Sequence, residues 1–267
     1  MSMFSNHLKA FVLAVRLMST FPLPALKDEA EYFEAHQNPQ AKLVAIPSYF
    51  PWVGLLIALV LYVLSRFLER TSLSFYPLVI GAVLFATSLI LTRMMHFDGL
   101  ADVFDAAFGA HDFEKRSQIL KDPHIGSFGV IAIVIASLVL VVGFDVLAKG
   151  QSTLELFFIL PLSRVSATFA AFYLKPAFSS GLGKTMARKP GPHDLFVTIL
   201  ALVLGTYVGL YMYGVQAQAL LLVVGLCLSA LVPWIIQKAF GGTNGDVMGA
   251  SIVVTEVLLF LLIFGFY

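Results

Sequence analysis

The chain has 267 residues, of which 59% are hydrophobic and 12% charged, about half the charged share of a soluble domain. With a mean hydropathy of +0.88, that composition excludes an ordinary soluble globule and indicates a polytopic integral membrane protein. The net charge of +1 offers no bulk attraction for nucleic acid, and the one cysteine, Cys227, rules out an internal disulfide; lying in an apolar run, it is expected as a core thiol.

Residues 4–21 are moderately apolar, with Lys9 and Arg16 among them, and fit either an amphipathic interfacial helix or a short membrane helix. Phe21-Pro22-Leu23-Pro24 ends that helix, because proline cannot continue a helix interior. Apolar runs at 48–68, 73–94, 127–148, 153–174, 195–214, 216–237 and 248–266 follow, each near the roughly 20 residues that a bilayer demands. The expected fold is all-α: a single integral membrane domain over 1–267, about seven transmembrane helices plus the N-terminal one. Pro77, Pro161 and Pro233 are expected to kink or break their spans.

Leaving out Arg16, which belongs to the interfacial N-terminal helix, twelve Lys and Arg lie in the segments 1–47, 93–126, 175–194 and 238–247, against three (Arg66, Arg70 and Lys149) on the other side. The positive-inside tendency places the twelve in the cytoplasm. Every motif-like polar stretch then falls on that face, within the loops 93–126, 175–194 and 238–247. Asp145 and Glu155 fall on the opposite one, where they read as solvated ends.

The longest polar interruption, Met95 to Gly129, holds Asp98, Asp102 and Asp105. On a helix these project within an arc of about 60°. Three like charges on one face repel unless a cation sits among them. Mg²⁺, which takes hard oxygen ligands and shares them with phosphates, is the economical choice; a solvated acidic face is the competing explanation. Gly99 beside Asp98 permits close approach by a ligand, whereas His96 points elsewhere and suits a hydrogen-bonding role. Lys121, Asp122, His124, Gly126 and Ser127 then lead into a span whose first N–H groups would face an anion, or else Ser127 simply caps it. Gly181, Gly183 and Lys184 form a second glycine loop. Gly242, Asn244, Gly245 and Asp246 form a third, ending in an acid beside the bilayer, as suits a loop pressed against phosphate or metal. Two charges lie inside spans, Arg164 and Glu256. Either they pair with each other or Arg164 reaches a substrate phosphate. Clustered carboxylates, glycine loops and cations on one membrane face indicate metal-assisted phosphoryl transfer. A membrane alcohol phosphotransferase acting on a nucleotide-activated headgroup is the alternative enzyme, and a small-solute transporter the alternative of another class.

The runs HFDGLADVFD (96–105), ILKDPHIGSFG (119–129), LSR (162–164), GLG (181–183) and GGTNGDVMGA (241–250), with Glu256 beyond them, resemble the cobalamin synthase family. Tyr49-Phe50-Pro51 with Gly54 is similar to that family's F-P-x-x-G start of its first long span. The resemblance implies a ribazoletransferase of the bacterial cytoplasmic (inner) membrane. It would join α-ribazole, or its 5′-phosphate, to adenosylcobinamide-GDP with release of GMP, using Mg²⁺. Carried onto this sequence, it implies Asp98, Asp102, Asp105 and Asp246 on the metal, with Asp105 a candidate to take the hydroxyl proton. Lys121 and Arg164 would steady phosphate charge, and Glu256 would orient Arg164 or a ligand.

Overall fold

The computed structural model describes residues 3–29, 32–33, 44–76, 78–150, 152–179 and 181–265. Apart from one isolated bridge between Pro176 and Thr243, its regular structure is helical, and the fold is a polytopic helical membrane bundle. Pro77 lies outside the described residues.

Helix α1 (Met3–Met18) is not among the spans. It buries Ala10, Leu13, Ala14 and Val15 against a short 3₁₀ turn (Ile46–Tyr49) and helix α2 (Phe50–Leu68). Its cations Lys9 and Arg16 pair with Asp28 and Glu29 of the segment that follows. A hydrogen bond from Lys9 holds the Asp28 carboxyl below the usual carboxylate range.

Six segments of the described residues are long and apolar enough to cross a bilayer: 46–68, 127–149, 153–173, 192–209, 215–238 and 245–264. They comprise α2, α6 (Ser127–Lys149), α7 (Leu156–Tyr173), α9 (Pro192–Gly209), α10 (Val215–Lys238) and α11 (Gly245–Phe264), with two short helices between them, α5 (Phe113–Ile119) and α8 (Leu182–Met186). The expected span 73–94 is different. Its helix, α3 (Val79–Leu91), has only 13 residues, too short to cross alone. After a bend of 89° the chain continues as α4 (Met95–Gly109). Arg93 and Met94 make that bend, both with positive φ (54° and 58°), a conformation that costs a side-chain-bearing residue about 1 kcal/mol or more. The aspartate row is therefore not in a loop. It rides on a helix packed between α6 and α11.

The core centres on α7 and α11, whose spans are 78% and 67% buried, against 33% and 28% for α9 and α10. Small residues bring the backbones together. A Cβ on Gly54 of α2 would lie 2.6 Å from the Leu160 carbonyl of α7. One on Gly205 of α9 would lie 2.3 Å from the Phe157 carbonyl, which Pro161 leaves without its helical donor. Phe144 of α6 and Phe260 of α11 meet edge to face at 5.1 Å. The outer faces of α6, α9 and α10 carry exposed side chains such as Ile131, Leu138, Phe196, Val203 and Val223, as lipid contact requires. Cys227 is exposed on α10 rather than in the core. Asp145 and Glu155 are buried, not solvated. Asp145 pairs with Lys149 at 2.8 Å, and Glu155 accepts a hydrogen bond from Tyr213 at 2.5 Å.

Candidate active site

The acidic helix and the third glycine loop are neighbours. A Cβ on Gly99 of α4 would sit 2.9 Å from the carbonyl oxygen of Asp246. The close approach at this glycine is thus made by the protein's own backbone, not by a ligand as the sequence suggested. It brings Asp246, in the first turn of α11, to the row on α4. Asp102 feels the charges of Asp246, Asp98 and Asp105, and Asp246 feels that of Asp98. Asn244 caps α11, its side chain accepting from the Val247 amide at 2.8 Å and donating to Asp246 Oδ2 at 3.2 Å.

Asp105 has a different task from its two companions. Its carboxylate accepts from the Gly126 amide at 2.7 Å and the Gly129 amide at 2.8 Å, and it is only 8% exposed. It thereby satisfies two of the donors that open α6, and its charge faces the positive end of that helix. Ser127 provides no cap. Both oxygens of Asp105 are thus engaged in clamping the start of α6, and Gly126 abuts its carboxylate.

Around this pair of helices the other loops converge. Thr243 donates its amide to the Lys175 carbonyl at 2.7 Å, and Ala177 donates to the Thr243 carbonyl at 2.8 Å. Gly183 and Gly242 are pressed against the neighbouring backbone of this junction. Of the predicted contact glycines, that leaves Gly181, with φ +87° and open space beside it, and Gly245, which lines a pocket. Lys121 and Lys184 are exposed, and Lys121 Nζ stands 5.8 Å from the Phe178 ring. Asp122 and His124 are exposed and occupied with each other, Nδ1 to Oδ1 at 2.7 Å, which holds the Asp122 carboxyl below its usual range.

The pocket, of about 220 Å³, opens beside Asp98, Asp246 and Gly245. Besides His96, its other walls are apolar, among them Leu17 and Met18 from α1, Phe50, Met95, Met248 and Ile252. Sequence reading gave none of these a functional role, because each looks like ordinary core. Their only signal is position, one turn or less from a motif or a proline break. Arg164 and Glu256 do not reach this pocket. They pair with each other at 2.8 Å, at 2% and 7% exposure. Arg164 Nη1 also donates to the Leu160 carbonyl at 3.1 Å and to Ser163 Oγ at 2.9 Å. Behind the pocket they border a small cavity of about 20 Å³. His96, 6% exposed, borders both spaces.

Among the described residues no three Asp, Glu, His or Cys side chains are already arranged around a common metal position. The donor set nevertheless fits Mg²⁺. Asp98, Asp102 and Asp246 are hard oxygen donors that repel one another, and Mg²⁺ commonly takes one or two carboxylates and completes its shell with water and substrate phosphate.

The family description for cobalamin-5-phosphate synthase matches residues 10–264. A protein of Caldanaerobacter subterraneus subsp. tengcongensis is 32% identical over 257 residues, 96% of this chain and 98% of its own. One from Syntrophobacter fumaroxidans is 31% identical, covering 79% of this chain and 83% of its own. One from a Shewanella species is 28% identical, covering 97% and 94%. All three are named adenosylcobinamide-GDP ribazoletransferase. No solved structure matches. With its site motifs inside a match that runs almost from end to end, the chain belongs to the cobalamin-5-phosphate synthase family.

Proposed function

We propose that this chain is a membrane transferase that joins α-ribazole, or its 5′-phosphate, to adenosylcobinamide-GDP and releases GMP. The observation that carries the reading is the meeting of Asp98 and Asp102 with Asp246, beside a pocket that Asp98 and Asp246 line, in a chain matched by the family over residues 10–264. The ribazole 3′ hydroxyl forms a new bond to the phosphorus already joined to the corrinoid's aminopropanol arm. The bond from that phosphorus to the bridging anhydride oxygen breaks, and GMP leaves with the oxygen and its electron pair. A carboxylate of the trio accepts the hydroxyl proton. Asp98, Asp102 and Asp246 would hold Mg²⁺, which would supply neutralisation of the diphosphate charge. Lys121, in the turn after α5, and Lys184, on the short helix α8, are exposed and attract the anionic substrate. Arg164 and Glu256 brace α7 against α11 and do not touch phosphate. The site faces the cytoplasm from the bacterial inner membrane, as the twelve-to-three distribution of Lys and Arg supports.

The test is direct. Membranes carrying the protein are incubated with adenosylcobinamide-GDP, α-ribazole and Mg²⁺. GMP and a cobalamin product are expected together, and neither when one substrate is withheld. An inserted protein that forms neither overturns the reading.

A further inference from the structure

We propose that one ordered water fills the small cavity where α3, α4, α7 and α11 meet, and that through it the Arg164–Glu256 pair holds His96 and so fixes the rotation of α4, the helix that carries Asp98 and Asp102. His96 is then a positioning residue, acting through its helix rather than on the reacting atoms. That role rests on the transferase reading above; the water site does not.

The first observation is a matched pair of unsatisfied atoms. His96 Nε2 and Arg164 Nε are both buried without a hydrogen-bond partner among the described residues, and both residues line the same cavity. A buried polar group left unpaired is costly, so two in one cavity wall point to a shared partner. The cavity holds about 20 Å³, and a single water requires roughly 10–15 Å³. Thr92 and Glu256 add polar groups to the wall, which gives a water the several partners that it needs. The guanidinium makes a cation an unsuitable occupant.

The bonding pattern closes around a water. Arg164 Nη1 is committed to Glu256 Oε2, Ser163 Oγ and the Leu160 carbonyl, so Nε remains to donate to the water oxygen. With that cation already in the wall, a neutral imidazole is the favoured neighbour, and it accepts at one ring nitrogen. One hydrogen of the water goes to His96 Nε2. The other goes to the Glu256 carboxylate or to Thr92 Oγ1, which gives its own hydrogen to the Ser88 carbonyl at 2.9 Å.

The second observation is how α4 begins. It starts at the elbow, and Met94 at its N-cap makes no side-chain hydrogen bond. It meets α11 through backbone contacts at two glycines. A Cβ on Gly99 would lie 2.9 Å from the Asp246 carbonyl, and one on Gly249 would lie 3.3 Å from His96 Cα. Such contacts set how closely the first turns approach; a hydrogen bond, being directional, also sets how they are rotated. His96 and Asp98 are about 200° apart around the helix. A tether on the His96 side therefore works as a lever on the acids opposite, and its loss lets them turn away from Asp246.

Three measurements on the full-length protein test the proposal. An experimental structure fine enough to show ordered water should hold one within hydrogen-bond distance of both His96 Nε2 and Arg164 Nε, and a dry cavity overturns the water site. The second measurement uses acceptor position. Glutamine places an amide oxygen about where Nε2 lies, whereas asparagine reaches only as far as Nδ1. His96→Gln should keep kcat within about threefold of the parent, with KM for both organic substrates within about twofold in every variant. His96→Asn and His96→Leu should lower kcat about tenfold or more and raise the Mg²⁺ concentration for half-maximal rate. Equal activity of His96→Gln and His96→Asn, or His96→Leu as the mildest of the three, overturns the positioning role. The third measurement is coupling. His96→Leu should lower the unfolding temperature of the parent and hardly change that of the Arg164→Met, Glu256→Leu protein, where the bridge is already gone; equal losses in both count against the bridge. Absence of product from the unaltered protein overturns the transferase reading instead, and the ordered water and the unfolding temperatures still decide the bridge.

Discussion

Asp98, Asp102 and Asp105 look alike in sequence, equally spaced for one helix face, yet they are not equivalent in the protein. Asp105 is spoken for by the Gly126 and Gly129 amides, and its charge belongs to the start of α6. Asp98 and Asp102 keep theirs for the neighbourhood of Asp246. Asp105→Asn leaves only one acceptor oxygen for two donors, so a loss of about 1–3 kcal/mol of stability is expected, read as a lower unfolding temperature with an unchanged Mg²⁺ concentration for half-maximal rate. Asp98→Asn and Asp246→Asn should do the reverse, lowering turnover about a hundredfold or more while the metal-free protein keeps or gains thermal stability because a repelling charge is gone. Normal turnover in both Asn variants would remove the trio from the chemistry. Spacing alone could not separate the three, since what distinguishes Asp105 is a partner 21 residues later whose amides become available only when α6 starts there.

At the level of elements, the lesson lies in how α4 is seated. The hydropathy of 73–94 reads as one continuous span, and the break falls at Arg93 and Met94, neither of which is a glycine or a proline. The sequence marks the end of an apolar run there, before the polar stretch from Met95, but not the helix α4 that continues beyond the elbow between α6 and α11. By contrast, the six remaining spans were legible from apolar runs, with ends displaced by at most about a turn and a half. The seating of α4 depends on Gly99. Gly99→Ala places a Cβ 2.9 Å from the Asp246 carbonyl, so α4 and α11 must part by a few tenths of an ångström. Turnover should fall and the Mg²⁺ requirement rise, and a variant with parental Mg²⁺ dependence would show that the two helices need not touch. The Arg164–Glu256 pair makes a matching prediction for α7 and α11. Glu256→Gln strands a buried guanidinium, at an expected cost of about 3–5 kcal/mol. Replacing both, Arg164→Met with Glu256→Leu, should recover most of it. Failure of the double variant to recover, with turnover lost in both, would return Arg164 to the chemistry.

Taken as a whole, the molecule gathers its motifs at one end of a lipid-facing bundle. The 175–177 segment joined to Thr243, Lys121 beside Phe178, and α4 against α11 belong to one assembly. The sequence made this gathering legible through its charge asymmetry and the family resemblance of its motifs. It could not reveal the pocket, whose walls are residues indistinguishable from core until helices far apart in the chain meet. Sidedness is checked with a single thiol. Gln118→Cys in a Cys227→Ser background puts one exposed sulfhydryl in the loop region beside the site. A membrane-impermeant maleimide should modify it in everted vesicles and not in intact spheroplasts. Modification in spheroplasts would invert the orientation.

The partnership of α4 with α11 also governs biogenesis. Asp98 and Asp246 are separated by more than half the chain, and α11 supplies Asp246, lines one side of the pocket and lies against α7. Until α11 is in place, α4 lacks a helix it packs against and the guanidinium of Arg164 lacks its carboxylate. Insertion of α11 provides both at once. Competence for catalysis should therefore arrive in one step, when α11 joins the bundle, rather than accrue helix by helix.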